Sequence, residues 1–387
     1  MSQERAQEIL AYLEDRREAM VDLLVTLAGM ETPSDVPHAQ KGIQAVLARH
    51  FHDLGLHVRP VPGRATGGHL LAAPAERIRG RPLQMMLGHM DTVWPLGTLD
   101  EMPVVVEGGV VRGPGTFDMK GGLVQMIFAL EALRAAGAEP EATPVIFVNS
   151  DEEIGSPESK RWVATLARIM CRVFVVEPAL GPEGKLKTAR KGVANYTVRA
   201  VGKAAHAGLD PTGGVSAIEE LAYHIPELHS LTDLDRGVTV NVGVIQGGTR
   251  PNVIAAEAWG EVDVRILTRE DAVGVEAAIR GLEPRLEGAR LEVDGGLKAP
   301  PMERTPGNRA LWRAAQRAAL RLGLKLDEVT SGGGSDGNTT SQFAPTLDGL
   351  GPVGDGAHAR HEHLLVDFLV ERTALLAELL MEPLETE

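Results

Sequence analysis

The stretch PLQMMLGHMDTVWPLG, residues 82–97, opens on an apolar run and ends on His89 and Asp91, two residues apart. On an extended backbone alternate side chains share a face, so an imidazole and a carboxylate stand side by side where the run ends. Other apolar runs end in the same way. PVIFVNS is followed by Asp151, Glu152 and Glu153; CRVFVV is followed by Glu177; the loop VRGPGTFDMKGG carries Asp118; and GPVGDGAHARHE adds His358. Ligands in open α/β sheets collect beyond the carboxyl ends of the strands, so these acids and histidines can converge on one crevice.

His89, Asp118, Glu153, Glu177 and His358 form a set of imidazoles and carboxylates that suits zinc, or cobalt or manganese, bound as a pair. One Asp carboxylate has two oxygens and can bridge two ions about 3.5–4 Å apart. Asp91 then accepts the spare N–H of His89 and fixes its tautomer. Glu152, beside Glu153, suits a general base facing a bound water. Singly, an HxD or a DEE is more often surface decoration. The strength lies in the whole set falling just beyond apolar runs, whereas His38, His50, His52, His57, His69, His224 and His229 lack that context and read as structural.

The elements that must position these groups follow from periodicity. Apolar residues at helical spacing cover 3–30, with Pro33 ending the pattern, and 40–54, stopped by Gly55. The short runs 83–87, 144–149 and 171–176 alternate with a helical segment at about 119–136, which reads as a mostly parallel sheet flanked by helices. From about 191 the strands alternate polar and apolar residues: TVNVGVIQ puts Val240, Val242 and Val244 on one face, and AEAWGEVDVRIL does so with Ala258, Val262, Val264 and Ile266. With a strand at 193–201, helices at 216–231 and 270–288, and RLEVDG at 290–295, the order is the ferredoxin-like β-α-β-β-α-β. Helices at 307–322 and 366–381 resume the earlier style. The fold class is therefore α/β, with 1–190 and 303–387 forming a metal-binding domain and 191–302 an inserted ferredoxin-like α+β domain.

The 387 residues, 43% hydrophobic with a formal charge of −14, describe a globular chain too long for one core and too acidic for general affinity to nucleic acid or an anionic membrane surface. The N-terminus is charged throughout, and no 18-residue apolar span occurs. Cys171 is the single cysteine and reads as a small core residue. The expected location is the cytoplasm.

GHMDTV, GPGTFDMKGG, SDEEIGS, VVEPA, GKAAHAG and GDGAHARHE resemble, in order and spacing, the dizinc exopeptidases that include glutamate carboxypeptidase, aminoacylase, acetylornithine deacetylase and succinyl-diaminopimelate desuccinylase; the likeness is greatest to the glutamate carboxypeptidase branch. The resemblance spans nearly the whole chain. It implies that His89, Asp118 and Glu177 hold one ion and Asp118, Glu153 and His358 the other, with Glu152 as base and Asp91 orienting His89. It also implies His358 rather than His361 or His363, because the pattern places the histidine four residues before a glutamate, here Glu362. In the inserted domain it assigns the oxyanion to His206 and substrate contacts to Asn252 and Arg265, the latter able to grip a carboxylate bidentately. Backbone near Gly334 approaches the substrate, and Lys185 resembles a lysine that faces an acidic side chain.

The function implied is metal-dependent hydrolysis of an amide next to a free carboxylate, with glutamate as one leaving group, in a homodimer whose cleft closes about hinges near 190 and 302. An aminoacylase- or carbamoylase-type amidohydrolase for neutral amino acids is the alternative. A serine hydrolase is a remoter one: Gly333-Gly334-Ser335-Asp336-Gly337 is a literal GxSxG, followed by Asp348 or Asp355 and then His358, but the flanking strand and helix are poor. A dinucleotide site fails because Asp118 stands where a third glycine should follow Gly113 and Gly115. A non-catalytic binding protein would not need Glu152.

Overall fold

Leu83–His89 is a strand whose every residue is buried, as a central strand covered on both faces must be. Alternate side chains go to opposite cores: Met86 joins one apolar cluster, Met85 and Leu87 the other. The computed structural model describes residues 3–76 and 78–384. It divides the chain into two units, Met1–Thr188 with Arg304–Ser331 and Ser335–Glu387, and Ala189–Glu303 with Gly332–Gly334.

In the first unit a six-stranded sheet runs Leu56–Val61, His69–Pro74, Thr143–Asn149, Leu83–His89, Arg172–Val175, Thr346–Leu347. The last four are mutually parallel; the first two form an antiparallel hairpin at the edge. The helices Gly121–Ala135, Val366–Met381, Lys41–Asp53 and Pro306–Leu322 contribute Val124, Leu375, Phe51 and Ala318 to the larger core. The apolar pattern does not announce the hairpin, because Pro60 and the charged Arg59 interrupt it in the first strand.

The expected helix over 3–30 is two helices, Gln3–Asp15 and Arg17–Ala28. Arg16 leaves the helical region, and each piece turns its own apolar face inward, Ile9 and Leu13 in one and Met20, Leu24 and Leu27 in the other. Cys171 is part-buried at the head of its strand rather than in the core, and burial raises its thiol.

The second unit has the strands Gly192–Val201, Thr239–Gly247, Glu257–Ile266 and Arg290–Ala299, with the helices Ala217–His229 and Arg269–Arg280. Its sheet is antiparallel in the order Thr239–Gly247, Glu257–Ile266, Gly192–Val201, Arg290–Ala299, and both helices share one core with it. Ser216 and Thr268 cap the helices by accepting the N–H of Glu219 and Asp271. Three local expectations fail. The second helix stops at Gly281, not 288, with Pro284 close behind. The last strand extends to Ala299. A bulge between Val242 and Val244 turns Val244 out of the Val240 row, leaving it 42% exposed against 2% for Val240.

Among the described residues no helix is long and apolar enough to cross a membrane.

Candidate metal centre

Parallel strands bring their carboxyl ends to one edge, and the acids and histidines gather there. His89, 1% exposed, lies opposite Asn149 of the neighbouring strand. Glu177 follows the strand on the other side, where Val176 N–H donates to the Leu87 carbonyl at 3.0 Å. The His89 Nε2 atom is 3.3 Å from Asp118 Oδ1 and 3.3 Å from Glu177 Oε1.

Asp118 sits in a distorted turn, Thr116–Lys120, that leads into the helix Gly121–Ala135. The helix can press this turn against the sheet because Gly122 has no side chain: a Cβ there would lie 2.2 Å from the Val176 carbonyl oxygen. His358 comes from the loop between Gly354–Asp355 and His363–Leu365 and holds φ at 60°, a conformation rare for a side chain of its kind. Its Nε2 is 3.0 Å from Glu153 Oε2 and 3.5 Å from Asp118 Oδ2. The two oxygens of Asp118 thus face two different histidines. His361 and His363 point elsewhere, to Asp355 and to a backbone carbonyl.

Asp91, fully buried, does more than meet His89. His89 Nδ1 is 3.0 Å from the Asp91 carbonyl and 3.4 Å from its carboxylate, which also accepts the Ser34 hydroxyl at 2.6 Å and the N–H groups of Glu152 and Glu153 at 3.3 and 3.2 Å. The turn Glu152–Ile154 is therefore pinned to the strand that carries His89.

The charges explain what the cluster wants. Burial disfavours a charged His89, but Asp118, Asp91 and Glu177 outweigh it and hold its pKa well above the usual value. Asp118 and Glu153 push His358 up to about 10. Burial opposes the ionisation of Asp118, yet His358 and His89 keep it far below the carboxylate range. Burial and the charge of Glu177 push Glu152 well above its usual value. The group is an anionic pocket demanding positive charge, which a divalent metal ion would supply in place of imidazole protons. His89 Nε2, Asp118 Oδ1 and Glu153 Oε1 are buried without a well-formed hydrogen bond. Donor atoms of His89, Asp118 and Glu153 lie within 4.8 Å of one another, as do those of His89, Glu152 and Glu177. Ligands bonded at about 2 Å to one ion span at most about 4 Å, so small contractions suffice and the residues fit a metal pair. By distance alone Glu152 is as near the cluster as a ligand.

Of the other expected residues, His206, Asn252, Arg265 and Gly334 belong to the second unit and Lys185 to the first. His206 is exposed in the second unit, its Nδ1 accepting the N–H groups of Gly208 and Leu209. Asn252 is exposed, and Arg265 spends its fork on Asp263, at 2.9 and 3.0 Å. The carbonyl of Gly334 accepts from Arg190 at 2.9 Å. Lys185 lies 3.8 Å from Glu183 at the surface. Ser335 is a helix cap: its hydroxyl donates to Asp348 and accepts the Gly337 N–H, while His358 is engaged by Glu153 and Asp118, so the Ser–Asp–His series of the remote alternative does not assemble.

Four participants escape sequence reasoning. Ser34 and Asp336 act through side-chain contacts with no local pattern; buried Asp336 accepts from Ser156 at 2.7 Å and from Asn149, tying the 150–156 loop to the sheet. Lys187 is buried, and its charge helps keep Asp118 ionised, though no local pattern in the sequence marks it. Glu362 enters the sequence argument only as the spacing that selects His358.

A model of Peptidase family M20/M25/M40 matches residues 85–382. Carboxypeptidase G2 of Pseudomonas sp. (strain RS-16) is 27% identical over 99% of this chain and 93% of its own length. Acetylornithine deacetylase of Klebsiella pneumoniae (strain 342) is 27% identical over 92% of this chain and 94% of its own. Among solved structures, the aminopeptidase PepT from Bacillus cereus ATCC 10987 superposes with a TM-score of 0.79 at 24% identity, covering 94% of this chain and 98% of that one. The YXEP protein of Bacillus subtilis, described as a dinuclear metal binding peptidase, gives 0.69 at 18% identity over 95% and 98%.

Proposed function

The chain belongs to Peptidase family M20/M25/M40, and from that premise we propose that it hydrolyses an amide bond next to a free carboxylate, releasing an amino acid from an N-acyl or dipeptide-like substrate. The observation that carries this reading is Asp118, whose oxygens face His89 and His358 separately while Glu152 stands beside the cluster. His89, Asp118 and Glu177 would hold one divalent ion and Asp118, Glu153 and His358 a second, zinc being the expected metal. Bound there, the pair would polarise the scissile carbonyl and lower the pKa of a water.

The chain's own residues do the rest. Glu152 takes the proton of the attacking water and passes it to the leaving amine. Asp91 fixes the ring of His89 and, through two backbone N–H groups, the turn that aims Glu152. The resemblance assigns the developing oxyanion to His206 and the substrate carboxylate to Arg265 and Asn252, with Asp263 as the group a carboxylate would displace from Arg265. The exposed edge strand Thr239–Gly247, with Val244 and Ile245 42% and 60% exposed, supports a homodimer through the second unit.

Release of neutral amino acids is a second reading, favoured by Lys185 already being paired with Glu183. The test is free-amine release by zinc-loaded protein across N-acyl and dipeptide substrates of varied C-terminal residue, including a C-terminal amide. Preference for glutamate with a free carboxylate supports the glutamate-releasing form, and preference for neutral residues the second. Glu152→Ala is expected to bind both ions and to lose turnover by several orders of magnitude. Near-normal turnover of that variant defeats the mechanism.

A further inference from the structure

Glu362 is 1% exposed and collects four donors on one carboxylate. Oε2 accepts the Trp94 indole N–H at 2.8 Å and the Gly115 N–H at 3.0 Å; Oε1 accepts the N–H groups of Phe117 and Asp118, each at 3.0 Å. Its backbone belongs to the same arrangement, since its carbonyl accepts from Gly113 at 3.2 Å and its N–H donates to Ala359 at 2.9 Å. The donors come from two separate segments, the loop after His89 and Asp91 and the turn that carries Asp118. The carboxylate itself stands on the turn of His358. Only an ionised carboxylate offers acceptors alone on both sides; an amide would set its NH2 against two of the four donors.

We propose that Glu362 is a positioning residue for the metal centre, holding the Asp118 turn and the His358 turn in one frame before any ion arrives. The proposal rests on Asp118 and His358 being metal ligands. It accounts for the spacing between His358 and Glu362: the histidine supplies a ligand, and the glutamate, one turn of chain later, fixes the backbone of the acid that both ions would share. A glutamate with a merely structural role stands in the same unit for comparison. Glu158 accepts the N–H groups of Arg64, Ala65 and Thr66 in the same manner, and the loop it holds carries no ligand.

Two measurements test the idea. In metal-free wild-type protein, the amides of Gly115, Phe117 and Asp118 should be protected from hydrogen exchange; fast exchange there, with protection appearing only on metal addition, would mean the ions organise the turn and overturns the proposal. In Glu362→Gln, affinity for cobalt(II) should fall about 10–100-fold, the cobalt absorption spectrum should change, and kcat should fall more than KM moves. Glu158→Gln should leave the cobalt spectrum as in wild type. A Glu362→Gln protein with wild-type affinity and spectrum also overturns the proposal, and should that variant fail to fold, the exchange measurement on wild type decides alone. Wild-type protein that takes up no ions would instead refute the metal reading itself, while amide exchange would still report whether Glu362 holds the turn.

Discussion

Asp91→Asn gives the sharpest measure of how far the metal centre depends on groups that would touch no metal. The wild-type carboxylate is ionised in spite of burial, because His89 and Ser34 favour its charge. Oδ2 accepts the short Ser34 bond and the Glu153 N–H, while Oδ1 faces the Glu152 N–H and His89 Nδ1 at 3.3 and 3.4 Å. The better amide orientation keeps oxygen on the Ser34 side and sets NH2 against the other two donors. His89 Nδ1 keeps the Asp91 carbonyl at 3.0 Å, so the Glu152 N–H is the donor left without an acceptor; such a donor costs about 1–3 kcal/mol, and this long contact belongs at the lower end, about 1–2 kcal/mol. At 1.36 kcal/mol per decade this is a loss of about 5- to 30-fold. The assay is kcat/KM on the best substrate together with zinc affinity by competition with a chelating dye. Ser34→Ala leaves the other contacts in place and should cost about fivefold or less. The reasoning is refuted if Asp91→Asn stays within threefold of wild type in both quantities, or if Ser34→Ala is the worse of the two.

Gly122→Ala places a methyl group against the Val176 carbonyl beside Glu177, and overpacking of this sort costs about 1–3 kcal/mol; urea unfolding of the metal-free protein should show it, and an unchanged midpoint would count against so close an approach of helix and sheet. Desolvation works against the charge of Glu158, but the Thr66 hydroxyl and three backbone N–H groups outweigh it and hold the folded pKa down to about 2, below its ordinary 4.5. Its contribution is therefore complete above about pH 4.5 and is lost as pH falls toward 2; Glu158→Gln should flatten that part of the stability profile, and an identical acid profile would refute the assignment. In the proposed homodimer Ile245→Lys, on the exposed edge strand, should leave folding intact and shift sedimentation from dimer to monomer; a dimer that persists would place the interface elsewhere, and a monomeric wild type would refute the homodimer.

Residues that owe their place to local pattern can be read directly from the chain. Strand ends preceding His89, Glu152 and Glu177 show as apolar runs, and the faces of Glu257–Ile266 show as alternation, with Ala258, Val262, Val264 and Ile266 all buried. The bulge that turns Val244 outward leaves no such trace, since shifting register by one residue changes the facing of a side chain without changing the sequence period. Ser34 and Asp336 are invisible for a related reason. Each acts on a partner far along the chain, Asp91 in one case and Asn149 in the other, and a contact of that kind has no spacing to betray it. Glu362 lies between the two cases: its distance from His358 is legible, but the N–H groups that explain it belong to residues 115–118.

On the ribosome the proposed ligands emerge in an order that splits the centre in time. His89, Asp118, Glu153 and Glu177 all lie within Met1–Thr188, ahead of the second unit, whereas His358 and Glu362 belong to Ser335–Glu387, which follows it. A nascent chain can therefore assemble the acids around His89 first and closes the second half of the centre only when its C-terminal part folds back onto the sheet through Thr346–Leu347. Translation halted before that return would yield a half-built centre without the second proposed histidine.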